Sequence, residues 1–143
     1  MGTEEELIVY RRSMRIPYRW AAGMTATRFY REIAQGRKIF GTRCPSCKRV
    51  LMPARKSCSS CFRDTDEWVE VGPAATVETF TIVRQQSPTI YAMIKLDGAD
   101  TAFIHRLGEV EPNLVKAGMR VTAVFADQPT GQILDIQFFK PLK

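Results

Sequence analysis

Four cysteines constrain this chain more than any other feature. Cys44, Cys47, Cys58 and Cys61 stand as C-P-S-C, ten residues, then C-S-S-C, and there are no others. Two residues between cysteines let both sulfurs of a knuckle point at one centre, and two such pairs supply four soft ligands for one tetrahedral ion. Pro45 stiffens the first knuckle. The ten residues Lys48–Ser57 (KRVLMPARKS) can turn as a hairpin and bring the second knuckle back to the first. Val50, Leu51 and Met52 are placed to cover the apolar side of the metal.

Two other uses of the cysteines compete. Disulfides do not persist in a reducing compartment. A thioredoxin-like redox pair needs one C-x-x-C at a strand-to-helix junction, not two facing each other. The spacing therefore predicts zinc, with iron in a rubredoxin-like site as the alternative that uses the same thiolates. Four cysteine ligands leave no open position for water, so the metal is expected to be structural.

The metal hairpin divides the chain into three parts: 1–37, 38–68 and 69–143. Charge follows the division. Residues 1–65 hold 14 Lys/Arg against 5 Asp/Glu, and residues 66–143 hold 7 against 10. A basic first half suits an anionic partner, such as nucleic acid, a phosphorylated cofactor or an acidic protein face. Hydrophobic content of 45% and charged content of 25% fit an ordinary globular protein. No apolar run approaches the roughly 20 residues of a membrane span. The acidic opening, MGTEEE, lacks the apolar core of a secretory signal, so a cytoplasmic protein without membrane contact is expected.

Residues 1–24 show little periodicity, yet Tyr10, Tyr18 and Trp20 are many aromatics for a disordered tail. They are expected to dock, on the body of the chain or on a partner. Thr25–Gly36 predicts a helix capped by Thr25 and stopped by a left-handed Gly36. Ala26, Phe29, Tyr30 and Ile33 share its apolar face. A helix outside a ribbon has little core to join, so Phe29 and Tyr30 are candidates for ligand or partner contact. Lys38–Arg43 leads into the first knuckle as a strand.

Strands dominate beyond residue 69. Ala74–Val83, Thr89–Leu96, Thr101–Leu107, Met119–Ala126 and Ile133–Phe139 read as five strands. Asp97-Gly98 marks a hairpin, and Glu111–Lys116 one helical turn. Three strands, a helical connection and two strands is the order of the five-stranded Greek-key OB barrel. An open five-strand sandwich fits the same spacing. The predicted fold is mainly β: an N-terminal helical segment, a rubredoxin-like zinc ribbon and an OB-fold barrel.

Catalytic residues do not assemble. The single histidine, His105, sits mid-strand with no free cysteine and no nucleophile elbow, and is read as structural. Asp97, Asp100 and Asp127 fall in turns, where Asp serves backbone hydrogen bonding. Asp135 lies in the last predicted strand with no visible partner. The residues describe a binding or scaffold protein. As a nucleic-acid face, the barrel offers Tyr91, Phe103, His105, Lys95 and Arg106, a thin set on a net-negative half.

Several stretches together carry a family resemblance: RKIFGTRCPSCKRVLMPARKSCSSC, EWVEVGPAATVETFTIV, YAMIKLDGADTAFIHRLG, AGMRVTAVF and ILDIQFFKP. Over residues 25 to 141 the chain resembles the OB-fold, acyl-CoA-associated zinc-ribbon family, formerly a domain family of unknown function. The resemblance implies a non-catalytic partner of thiolase-type and 3-hydroxy-3-methylglutaryl-CoA-synthase-type enzymes, with acyl-CoA or CoA as ligand. Charge and position nominate Lys38, Arg43, Arg49 and Arg55 for the CoA phosphates, with Phe29 and Tyr30 as apolar contacts. A nucleic-acid-binding protein is the alternative.

Overall fold

The computed structural model describes residues 7–84 and 86–143. Helix α1 (Gly23–Arg31) runs on as a π turn over Glu32–Gly36. Strands β1 (Ile39–Arg43), β2 (Val50–Leu51) and β3 (Glu67–Val71) form an antiparallel sheet in the order β2-β1-β3. Strands β4 (Ala74–Val83), β5 (Thr89–Leu96), β6 (Phe103–Leu107), β7 (Arg120–Phe125) and β8 (Ile136–Pro141) close a barrel in the order β4-β5-β6-β8-β7. Pairing of Ala75 with Val121 seals it, so the open sandwich is excluded.

The barrel follows from alternation. Ile90, Ala92, Ile94 and Leu96 on β5 point inward, as do Phe103, His105 and Leu107 on β6. A bulge between Val77 and Thr79 bends the ten-residue β4 so that one strand can pair with both β5 and β7. β6 and β8 run parallel and meet at one pair, Leu107 with Phe139.

The helix departs from expectation at both ends. It begins at Gly23 with no side-chain cap, so Thr25 lies within it and caps nothing. The π turn adds a residue to the last turn, and the left-handed exit falls on Arg37 (φ 50°) instead of Gly36. The apolar face does not lack a core. Phe29 and Ile33 are buried in one cluster with Ile39, Val50, Met52 and Val71 of the ribbon and the inward residues of the barrel. Phe29 is 2% exposed, which removes it from the candidate ligand contacts.

The last strand is also shorter than expected. Ile133–Asp135 is a 3-10 turn, and β8 starts at Ile136. Among the described residues no helix is long and apolar enough to cross a membrane.

Candidate metal centre

The two knuckles are the same structure made twice. In the first, the Cys44 amide donates to Arg49 O (2.9 Å) and the Lys48 amide to Cys44 O (3.0 Å). In the second, the Cys58 amide donates to Arg63 O (2.9 Å) and the Phe62 amide to Cys58 O (2.9 Å). Each turn closes on a left-handed residue, Lys48 (φ 64°) and Phe62 (φ 54°), a conformation that costs least for glycine. Phe62 nonetheless stands 84% exposed.

The four sulfurs lie within 4.8 Å of one another, and Cys47 Sγ is 3.8 Å from Cys58 Sγ. A tetrahedron of thiolates at about 2.3 Å from zinc has edges of about 3.8 Å, so the donor set fits such an ion. Cys44 and Cys58 are buried against Leu51, and Cys61 packs at the edge of that cluster. Val50 and Met52, expected beside the metal, turn instead into the main core, because successive residues of a strand face opposite sides.

Amides tune the thiols. At Cys58 the amides of Cys61 and Ser60 outweigh burial and bring the thiol down to about 7. At Cys44 burial pushes the thiol up, but the amides of Cys47 and Ser46 prevail and its pKa is lowered. At Cys47 the Arg49 amide pulls down, while burial and the neighbouring thiols carry it up to about 11. Low-lying thiols favour the thiolate that a metal needs.

Among the described residues, side-chain hydrogen bonds join the ribbon to the barrel at Asp100 and Thr101. The Val50 amide donates to Asp100 Oδ2 (2.8 Å), and the Asp100 amide donates to Val50 O (2.9 Å). Thr101 Oγ1 accepts from the Met52 amide (2.7 Å) and donates to Met52 O (2.8 Å). Asp100 therefore does more than shape its turn. It satisfies the free edge of β2, some 50 residues away in sequence. The fully buried Thr42 does the same for the second knuckle, donating to Arg55 O (2.9 Å) and accepting from the Arg55 amide (3.0 Å).

The four nominated cations do not form one cluster. Lys38 pairs with Glu70 (3.0 Å) and Arg43 with Glu67 (3.1 Å) at opposite ends of β1, about 17 Å apart at strand rise. Arg49 donates to Ser60 Oγ (3.1 Å). The Arg55 side chain has no hydrogen-bond partner among the described residues. Tyr30 is half-buried against Phe29. A cation–π contact also forms on this side, with Arg28 over the Trp68 ring, 4.3 Å from its centroid.

On the barrel, His105 is 6% exposed and packs edge-on to Phe103 and Phe139 at 5.8 and 5.6 Å. Its Nδ1 accepts from the Arg106 amide (2.8 Å), and among the described residues its buried Nε2 has no hydrogen-bond partner. Burial lowers its pKa against the opposing effect of the Ile133 and Arg106 backbone, so the ring is neutral at pH 7. A shallow cleft of about 450 Å³ lies outside it, with Tyr91, Ile104 and Leu134 on its walls. Asp135 is buried beside this cleft. It accepts from the amides of Thr130 (2.7 Å), Gly131 (2.8 Å) and Gln132 (3.2 Å) and from Thr130 Oγ1 (3.1 Å). The partner missing from the sequence is thus the preceding loop.

Comparison with known proteins places these parts. The model of the ChsH2 rubredoxin-like zinc ribbon domain matches residues 31–67, and that of the ChsH2 C-terminal OB-fold domain matches residues 68–126. A protein of unknown function of the DUF35 family from Sulfolobus solfataricus is 21% identical, covering 83% of this chain and 84% of that one, with a TM-score of 0.63. The Ltp2-ChsH2(DUF35) aldolase is also 21% identical, covering 85% of this chain and 98% of that one, with a TM-score of 0.62. At such identity the two structures speak to fold. No curated protein matches the chain.

Proposed function

The chain belongs to the ChsH2 family of zinc-ribbon and OB-fold proteins, and on that premise we propose that it is an accessory, non-catalytic subunit of an enzyme that handles acyl-CoA. The partner is of thiolase or 3-hydroxy-3-methylglutaryl-CoA-synthase type. Cys44, Cys47, Cys58 and Cys61 hold one structural Zn²⁺, which ties the two knuckles together and leaves no open coordination position. The protein works in the cytoplasm.

One observation carries the reading. The only histidine is buried, neutral and, among the described residues, hydrogen-bonded to no side chain, so it heads no acid–base pair there. A fold shared with a ChsH2-containing aldolase, but lacking such a pair, suits a subunit that positions a substrate for another chain. Holding a CoA thioester close to a partner's active site raises its effective concentration there. Lys38 and Arg43 already have carboxylate partners, so the phosphate contacts narrow to Arg49 and Arg55.

Affinity purification from the native source, with mass spectrometry of what is retained, tests the assembly. A thiolase-type or synthase-type enzyme is expected in stoichiometric amount, with CoA binding weakened by Arg49→Gln/Arg55→Gln. Retention of nucleic-acid-processing proteins alone, with salt-dependent binding to single strands, establishes the nucleic-acid alternative. Turnover of acyl-CoA by the isolated chain, lost in His105→Ala, overturns the non-catalytic reading.

A further inference from the structure

Residues Leu7–Ala22 form no helix or strand and are exposed along their whole length. Their aromatic side chains do not dock on the body: Tyr10, Tyr18 and Trp20 are 81%, 78% and 71% exposed. Met14 and Ile16 stand out equally, at 85% and 68%. A folded chain rarely leaves so much contiguous apolar surface to water unless something covers it.

The order of residues says what shape the cover takes. Met14-Arg-Ile-Pro-Tyr-Arg-Trp20 alternates strictly, with Met14, Ile16, Tyr18 and Trp20 on one side and Arg15, Pro17 and Arg19 on the other. Period two is the pattern of a strand with one apolar face. A helix would place successive members of the apolar set about 200° apart and scatter them over two sides. Pro17 interrupts a helix as well. The amphipathic helix by which a segment lies on a bilayer is therefore not available to this sequence. Between Leu7 and Arg31 there are six arginines and no Asp or Glu.

We propose that residues 14–20 are a docking strand that lies about 20 Å along an apolar groove in a partner protein, with Arg15 and Arg19 meeting carboxylates on the rim. The partner is the catalytic enzyme of the assembly, a point that rests on the function proposed above. Opposite charge on the rim sets register and speeds association, while the aromatic pair supplies most of the hold. Helix α1, rooted in the core through Phe29, fixes where the strand leaves the body.

The test is in-cell photo-crosslinking of the full chain, with a photoreactive phenylalanine analogue in place of Tyr18. The expected adduct is an acyl-CoA enzyme, cross-linked in an apolar groove edged by Asp or Glu. Met14→Ser/Ile16→Ser/Trp20→Ser abolishes it and weakens the purified complex about thirtyfold or more. The same variant keeps the parent's metal content and melting temperature, because these side chains do not pack on the body. An adduct in such a groove of an unrelated protein, lost in the same variant, upholds the docking strand and removes the proposed function. Adducts only with lipid or with a second copy, no adduct, or one indifferent to the serines overturns the docking strand itself.

Discussion

Replacing Thr101 with valine should loosen the metal ribbon without touching the metal. The substitution keeps the side chain's shape and removes its hydroxyl. That hydroxyl is the partner of both the N–H and the C=O of Met52, at 2.7 and 2.8 Å. Met52 is fully buried, so both groups would lose their hydrogen bonds in the interior. An unsatisfied buried backbone group costs about 1–3 kcal/mol. Thr101 is only half-buried, which lets some water in, and the expected total is about 3 kcal/mol. For a chain of this size that lowers the melting temperature by roughly 10 °C. Metal should also leave faster, since Met52 follows the Leu51 that packs on Cys44 and Cys58. Urea unfolding of the metal-loaded chain gives the stability, and transfer of metal to a chromogenic chelator gives the release rate. Thr101→Ser, which keeps the hydroxyl, should lose less than about 1 kcal/mol. If T101V lies within about 0.5 kcal/mol of the parent, or if serine is as damaging as valine, the hydroxyl is not what bonds ribbon to barrel.

Gly41→Ala should damage the same ribbon from within, because the added Cβ would stand 2.8 Å from the backbone Leu51 O and 2.8 Å from Val50 Cγ1. The expected cost is about 2 kcal/mol with faster loss of metal to a chelator, and unchanged release would refute the close approach of β1 and β2. Asp135→Asn should cost about 2 kcal/mol in urea unfolding, since the amide leaves one acceptor oxygen where the carboxylate has two and turns an N–H₂ toward loop donors. In the parent, burial raises the Asp135 pKa, but the amides of Thr130, Gly131 and Gln132 prevail and hold it below the ordinary 3.8. Its stabilisation is therefore full above the unfolded-state pKa and is lost as pH falls through the lower folded value. A carboxyl resonance of Asp135 that titrates at or above 3.8 contradicts this arrangement.

What the sequence discloses depends on how far a residue's partner lies along the chain. β4 and β5 run over the residues that alternation predicts, Ala74–Val83 and Thr89–Leu96, because the signal sits within each strand. The Asp97-Gly98 turn is legible for the same reason. What Asp100 and Thr101 do after that turn is not legible, since Val50 and Met52 lie about fifty residues earlier. Lys38 and Arg43 look like free cations until the β1–β3 register sets Phe40 opposite Glu70 and Arg43 opposite Glu67. Ile133-Leu134-Asp135 has strand composition, and only the fold of the loop before it makes a 3-10 turn there. The π turn after α1 carries no local mark at all, which is why the left-handed exit moved to Arg37.

The four cysteines occupy a smaller place in the fold than in the sequence. Their cluster consists of Cys44, Cys58 and Leu51, with Cys61 at its edge, and is separate from the main core. That core already joins α1, the ribbon sheet and the barrel through Phe29, Ile33, Ile39, Met52 and Val71. The relative placement of the three parts thus rests on apolar packing and on the Asp100 and Thr101 bonds, and the metal sets the knuckles at the far end. There the chain exposes Phe62 in a left-handed turn, and among the described residues the Arg55 side chain has no hydrogen-bond partner. A closed ion at such a tip cannot do chemistry, but it can hold a surface to one shape. The docking strand leaves through α1, whose Arg28 lies over Trp68, the β3 residue paired with Thr42. On the function proposed above, one docking segment and one fixed face let a subunit hold its partner while it presents a ligand.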